Sequence, residues 1–434
     1  MPPEQAALPD FTFCVTLLAI LLVPFAAAGL SLINTGLNRS RSAAHAIVTS
    51  TSASAVALLA YFVCGFAVQA SAVQPMHAFY IGGKPWNWSG AGPFFLRGLQ
   101  LDASPSSLIL LLQMFSVVIA VLIPAASGAE RWRLGASCVS TALLAGWTYP
   151  LFAHWVWSNG WLAQLGTNYG LGRGFLDPAG AASIHAVGGF TALSIVWILG
   201  PRSGKFTLDG IPTAMPGHNA VVVLFGCMLA LVGWLGLNAA GAILFANAGV
   251  SELVAVFVNT LLCAAAAVLA TLAVTRIRFG KADASLSANG WVTGLVGSSA
   301  LCHFVKPAEA VLIGLVAGVL VLFAVEIVEL RMRVDDPAGA ISVHAAGGIW
   351  GILALGIFGR GSAAGPGQLV AQLLGIATLI GFVLPMSYGL NWALNRFLAQ
   401  RVSPEGERQG MDLYELGAGA YPDFVTQRDE YMRR

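Results

Sequence analysis

Asp177-Pro178-Ala179-Gly180-Ala181-Ala182-Ser183-Ile184-His185-Ala186-Val187-Gly188-Gly189 returns 159 positions later as Asp336-Pro337-Ala338-Gly339-Ala340-Ile341-Ser342-Val343-His344-Ala345-Ala346-Gly347-Gly348, ten of the thirteen residues being identical. A duplication of this length signals an internal repeat. Read as a helix start, each copy puts Asp at the N-cap and Pro at the first helical position, where its missing N–H costs nothing. The His then lies about 12 Å below the cap at 1.5 Å per residue. The Gly-Gly pair that follows suits close helix packing. Whether the two copies run parallel or antiparallel depends on how many membrane crossings separate them.

The solvent around this chain is lipid. Of its 434 residues 57% are hydrophobic and 10% charged, against about 25% charged in soluble domains. That composition excludes a cytosolic enzyme, a nucleic-acid binder and a disordered hub. The six cysteines stand singly in apolar runs with no C-x-x-C pair, so they read as small hydrophobes rather than a metal or disulfide framework, and no metal or cofactor is expected. Upstream of Arg39 the only charges are Glu4 and Asp10, a poor secretion signal and a reason to place the N-terminus outside.

Crossings of about 20 residues fit at 11–35, 44–70, 105–127, 133–157, 178–199, 218–239, 250–275, 285–303, 307–329, 337–359 and 367–396. The charges test that count separately: with the N-terminus outside, 17 of the 22 Lys and Arg residues fall on the inside, and only Lys84, Arg97, Arg173, Lys306 and Arg360 fall outside. The expected fold is therefore an all-α polytopic membrane protein of eleven transmembrane helices. Residues 1–10 form an outside N-terminus, 11–200 a first five-helix repeat, 201–360 a second and inverted repeat, 361–399 the eleventh helix, and 400–434 a cytoplasmic tail. An odd number of helices between the two motifs makes the repeat inverted, an architecture with its site near the midplane.

Under that geometry His185 and His344 descend from opposite boundaries of a core about 30 Å thick and end about 6 Å apart along the membrane normal. Ionisable residues inside spans mark pathways by default, and two at mirrored depths strengthen that reading. The remaining five histidines, His45, His77, His154, His218 and His303, read as structural or interfacial, and the two capping aspartates as structural first. Two neutral imidazoles can exchange hydrogen bonds and line a path for a small polar neutral molecule. The apolar surroundings would exclude a hydrated ion and favour deprotonation of a cation such as ammonium. At the outer end of the fourth span, His154-Trp155-Val156-Trp157-Ser158-Asn159-Gly160-Trp161 offers aromatic faces for cation capture, or equally an aromatic belt.

These residues resemble the ammonium transporter (Amt/Mep/Rh) family. The resemblance rests on the twin-His motifs and on Ala153-His154-x-Val156-Trp157, Gln113-Met114-Phe115, Ala129-Glu130-Arg131 and Trp234-x-Gly236-x-Asn238. It continues in Asn289-Gly290-Trp291-Val292-Thr293-Gly294-Leu295-Val296, in Gly410-Met411-Asp412 and in Ala420-Tyr421-Pro422, covering about residues 11–425 in order. It implies a homotrimer in the inner or plasma membrane, with one ammonium or ammonia pore per subunit. In it His185 and His344 match the pore histidines, Trp157 the tryptophan of the recruitment site and Asp177 its supporting acid. Phe115 matches a gate phenylalanine when one gap is allowed. The second gate phenylalanine is replaced by Leu237, and the serine four positions on by Gly241. Glu415-Leu416-Gly417-Ala418 stands where the tail pattern has histidine, glycine and glutamate, which weakens the expected docking of a PII-type signalling protein.

Three function classes follow from these residues. The first is an ammonium transporter or channel, the second an ammonium-sensing receptor of the same fold that conducts little. The third, a bis-histidine haem or quinone protein, is disfavoured because the small neighbours of the histidines leave little room for a porphyrin.

Overall fold

The computed structural model describes residues 8–70 and 76–421. The first seven residues and the tail beyond 421, with Pro422, Arg428, Arg433 and Arg434, lie outside the described residues. Among those described, nine helices are long and apolar enough to cross a membrane: Asp10–Leu37, Ser40–Gln69, Pro105–Ser127, Ala181–Leu199, Ala220–Ala246, Val250–Phe279, Pro307–Arg331, Ile341–Phe358 and Gln368–Phe397. The two other expected spans are also helical, at 134–157 and Ala284–Leu301, but Ser, Thr, Gly, Trp and Tyr dilute their hydropathy. Large apolar side chains such as Leu18, Val221, Met228, Val254 and Leu269 point outward from the long helices. A soluble protein avoids contiguous apolar surface on that scale, whereas lipid solvates it.

Small residues set the spacing between helices, because in lipid the contact is one of backbone against backbone. A Cβ on Gly29 would come within 2.5 Å of the Gly226 carbonyl, and one on Gly233 within 2.0 Å of the Ala26 nitrogen, so Asp10–Leu37 and Ala220–Ala246 touch along their backbones. The duplicated glycines do the same at the centre: Gly189 lies against Ala345, and Gly348 against Ala186. Ala186 and Ala345 are themselves counterparts at the 159-residue offset, so the contact is reciprocal.

One local expectation needs correction. Each motif opens with a turn and not directly with a helix: the helices begin near Ala181 and Ile341 in π-helical turns, after Gly180 and Gly339 at φ of 87° and 67°. Pro178 and Pro337 are therefore not first helical residues. The aspartates still cap, from across the turn: Asp177 Oδ2 accepts from the Ala182 and Ser183 N–H groups at 3.0 and 2.7 Å, and Asp336 Oδ2 from Ile341 N–H at 2.7 Å. The long connection after Gln69 contains a hairpin. Met76–Ile81 pairs antiparallel with Lys84–Gly90, and the two-residue turn needs positive φ at both positions, which Gly82 and Gly83 supply.

This hairpin marks one face of the molecule. The opposite face carries residues 398–421 and a buried ionic knot. Glu130 accepts from Arg202 at 2.7 Å and from the Arg39 guanidinium, and Asp335 from three Arg202 nitrogens at 2.8–3.0 Å. Arg131 spends its donors on the Gly200 and Asp335 carbonyls, both at 2.7 Å. Buried charges persist only when paired in this way.

Candidate functional site: a column of rings between two histidines

The reciprocal Gly-Ala crossing brings the two π-turns together, and with them the histidines. The His185 and His344 rings lie 5.2 Å apart, centroid to centroid, at 27°. The other face of His185 stacks on Trp234 at 5.0 Å and 8°. Trp234 is held in place by an N–H bond to Ser299 Oγ at 3.1 Å. His185 is fully buried and His344 nearly so. Neither nitrogen of His185, nor Nδ1 of His344, has a hydrogen-bond partner among the described residues. Buried polar atoms are rarely left in this state.

On the hairpin side, Trp157 donates its indole N–H to the Asp177 carbonyl at 2.8 Å and stacks face to face on Phe245 at 5.0 Å and 12°. The link between Trp157 and Asp177 thus runs through the aspartate backbone, while its carboxylate faces the turn and takes Ser183 Oγ–H as well, at 2.9 Å. Asp177 Oδ1 is buried and without a partner among the described residues. Leu237 is buried at 1% exposure. Gly241 packs its backbone on the motif turn, where a Cβ would lie 2.4 Å from the Pro178 carbonyl. Phe115 is half-buried against the core, and among the described residues it makes none of the ring contacts that join Trp157, Phe245, Trp234 and the histidines.

Sequence reasoning left Trp234 and Phe245 out of the site. The missed signal is spacing. Trp234, Leu237, Gly241 and Phe245 recur at three- and four-residue intervals on Ala220–Ala246, which is one stripe of a helix. That stripe runs from His185 at one end to Trp157 at the other. Among the described residues no group of His, Cys, Asp and Glu is arranged to hold a metal ion.

The model of the Ammonium Transporter Family matches residues 14–421. The chain belongs to the ammonium transporter family. It is similar to ammonium transporter Amt2 of Archaeoglobus fulgidus, 34% identical over 98% of this chain and 91% of that protein. The ammonium transporter of Bacillus subtilis is 30% identical over 96% of this chain and 98% of its own. Among solved structures, one described as a sensor Amt protein superposes with a TM-score of 0.83, 27% identity and coverage of 94% of this chain and 98% of that one. Mep2 of Candida albicans, 24% identical with a TM-score of 0.79 over 96% of this chain and 92% of that one, shares the fold.

Proposed function

We propose that this protein carries ammonium across a membrane by taking it at the hairpin face, removing its proton and conducting ammonia past His185 and His344. The supporting observation is the histidine pair: three ring nitrogens without partners among the described residues, buried beside stacked rings. Such a passage offers hydrogen bonds to a small neutral solute and no compensation for a full charge. Trp157 and Asp177 form the recruitment site, with Phe245 covering one indole face and the other left to a cation. Phe115 and Leu237 form the constriction below it. Gly241 contributes no hydroxyl there, so capture rests on the tryptophan face.

The same reading assigns eleven spans, counting 134–157 and Ala284–Leu301, in two inverted five-helix repeats (11–200 and 201–360) plus a final helix. The hairpin face is outside, and residues 400–434 lie in the cytoplasm. We further infer a homotrimer in the inner or plasma membrane. A PII-type regulator at the cytoplasmic face remains part of the proposal, with Glu415 turned inward instead of displayed.

The test is solid-supported-membrane electrophysiology on proteoliposomes. An ammonium gradient is expected to give a current or a pH change that His185→Ala and His344→Ala each alter sharply. A second reading, an ammonium receptor that conducts little, is favoured by the likeness to the sensor Amt structure. Saturable ammonium binding without flux in any gradient would select it.

A further inference from the structure

The last turn of the helix at 134–157 is bonded to the base of the hairpin on one side and carries Trp157 on the other. His154, fully buried, meets the Gln69 carbonyl with Nδ1 at 2.6 Å. A carbonyl only accepts, so Nδ1 carries the proton. One turn on, Ser158 donates Oγ–H to the Ala70 carbonyl, also at 2.6 Å. Trp155 donates its indole N–H to the Trp88 carbonyl at 2.6 Å, Trp161 its backbone N–H to the Asn87 carbonyl at 3.1 Å, and the Asn87 amide returns to the Asn159 carbonyl at 3.0 Å. At about 100° per residue, His154, Trp155 and Ser158 share one arc of the helix. Trp157 falls outside that arc and turns to the Asp177 carbonyl and to Phe245. The carbonyls that receive His154 and Ser158 are consecutive, and Ala70 is strained. It stands at φ 48° and ψ 176°, near a region that glycine alone enters freely. Its methyl fits there because Gly90 has no side chain, where a second Cβ would overlap it. Such strain persists only where the surroundings over-determine it.

We propose that this clamp positions the recruitment site: His154 and Ser158 fix the rotation of the last turn about its axis, and so hold the Trp157 ring at the angle where a cation can lie on its free face. The bond to Asp177 and the stack on Phe245 hold the ring from one side. The clamp holds the backbone that carries it from the other. A ring attracts a cation only when the charge lies over its face, within about 6 Å of the centroid, so a small rotation of the turn is read as a change in affinity. Gly241 supplies no hydroxyl at the mouth, which leaves more of that affinity to the ring angle. His154 is a positioning residue and touches no cation. Through the same bonds the hairpin, whose Lys84–Gly90 strand supplies Asn87 and Trp88, becomes part of the capture machinery. The cation rests on the transport reading above; the placement of the ring rests on the hydrogen bonds and on the strained alanine.

The test compares three substitutions of His154 in the full-length protein. Asparagine places an amide N–H where Nδ1 lies and keeps the bond to Gln69; glutamine carries its amide one bond too far, and leucine has no donor. In proteoliposomes His154→Leu and His154→Gln are expected to raise the half-saturating ammonium concentration about fivefold, the scale of one cation–π contact, with the maximal current little changed. His154→Asn is expected to restore the parent value. Equal effects of asparagine and leucine, or a lower maximal current at unchanged half-saturation, overturn the proposal. Ring placement is read without transport, by fluorine NMR of the purified protein labelled with fluorotryptophan. The resonance that Trp157→Phe removes is expected to shift or broaden in His154→Leu and in Ser158→Ala and to stay in place in His154→Asn. A resonance unmoved in the first two also overturns the proposal, and Ser158→Ala carries both readouts if His154→Leu does not fold. A protein that conducts nothing yet shows the moved resonance refutes transport and keeps the clamp. One that conducts with the resonance unmoved does the reverse.

Discussion

Gly241→Ser tests whether the close packing of the stripe or the missing hydroxyl governs the mouth of the site. A side chain there would place its Cβ 2.4 Å from the Pro178 carbonyl and 3.0 Å from Ala179 Cα and Cβ. Ordinary carbon–oxygen contact needs nearly 1 Å more, and the obstacle is backbone, so either the Asp177–Gly180 turn or the helix has to move. Overpacking of this kind costs about 1–3 kcal/mol. At about 2–4 °C per kcal/mol for domains of 150–250 residues, the melting temperature of the purified protein should fall by a few degrees, less in so large a chain. The turn carries the Asp177 carbonyl that holds Trp157 and the carboxylate that caps the His185 helix. The half-saturating ammonium concentration should therefore rise even though a hydroxyl has been added. The two readouts are thermal unfolding in detergent and the concentration dependence of the ammonium-evoked current. A variant as stable as the parent that saturates at lower ammonium would refute the reasoning, because the turn would then yield at no cost.

Trp234→Leu removes the ring stacked on His185, a contact worth about 0.5–1.5 kcal/mol beyond its area, and should reduce ammonium flux while leaving helix content unchanged by circular dichroism. Asp412 accepts from the Ala44 and His45 N–H groups at 3.1 and 2.7 Å, so Asp412→Ala removes a cap worth roughly 1 kcal/mol and should speed proteolysis within the tail. Acid should release the tail in the same assay. Burial alone would raise the Glu407 and Glu415 carboxyls, but Ser203 and Arg401 around the first, and His45 and Leu134 around the second, outweigh it and leave both below the usual carboxylate range. Groups lowered in this way stabilise the docked state above their free value of about 4.3 and lose that contribution as pH falls through the lower native values. Cleavage of the tail relative to an unfolded substrate at the same pH should thus stay flat from neutral pH to about 5 and rise below about 4. A loss of protection already between pH 8 and 6 would refute this reasoning.

The membrane class of this chain was legible because it depends on composition and on runs of about 20 apolar residues, properties that survive without knowing any contact. The histidines were legible because duplication singles them out from five others. Trp234 was quoted as part of a motif and still left out of the site, since its role depends on facing His185 from a helix some 50 residues away in sequence. Phe245 had no signal except its place on the stripe. The Asp-Pro reading failed for a local reason: Gly180 and Gly339 adopt positive φ, which interposes a turn, and the carboxylate reaches the helix from further back than an ordinary N-cap.

By itself the sequence determined the solvent, most of the crossings and the duplicated pair of histidines, because hydropathy, charge placement and repetition are properties of a linear chain. Tertiary structure alone decided which faces meet. Glycines at which an added Cβ would fall within 3 Å of the facing backbone set the crossing of the two motif helices, and that crossing stacks His185 between His344 and Trp234. The same packing pairs Ser183 with Asp177 and leaves the Ser342 hydroxyl without a partner among the described residues, although the two serines stand in nearly identical sequence.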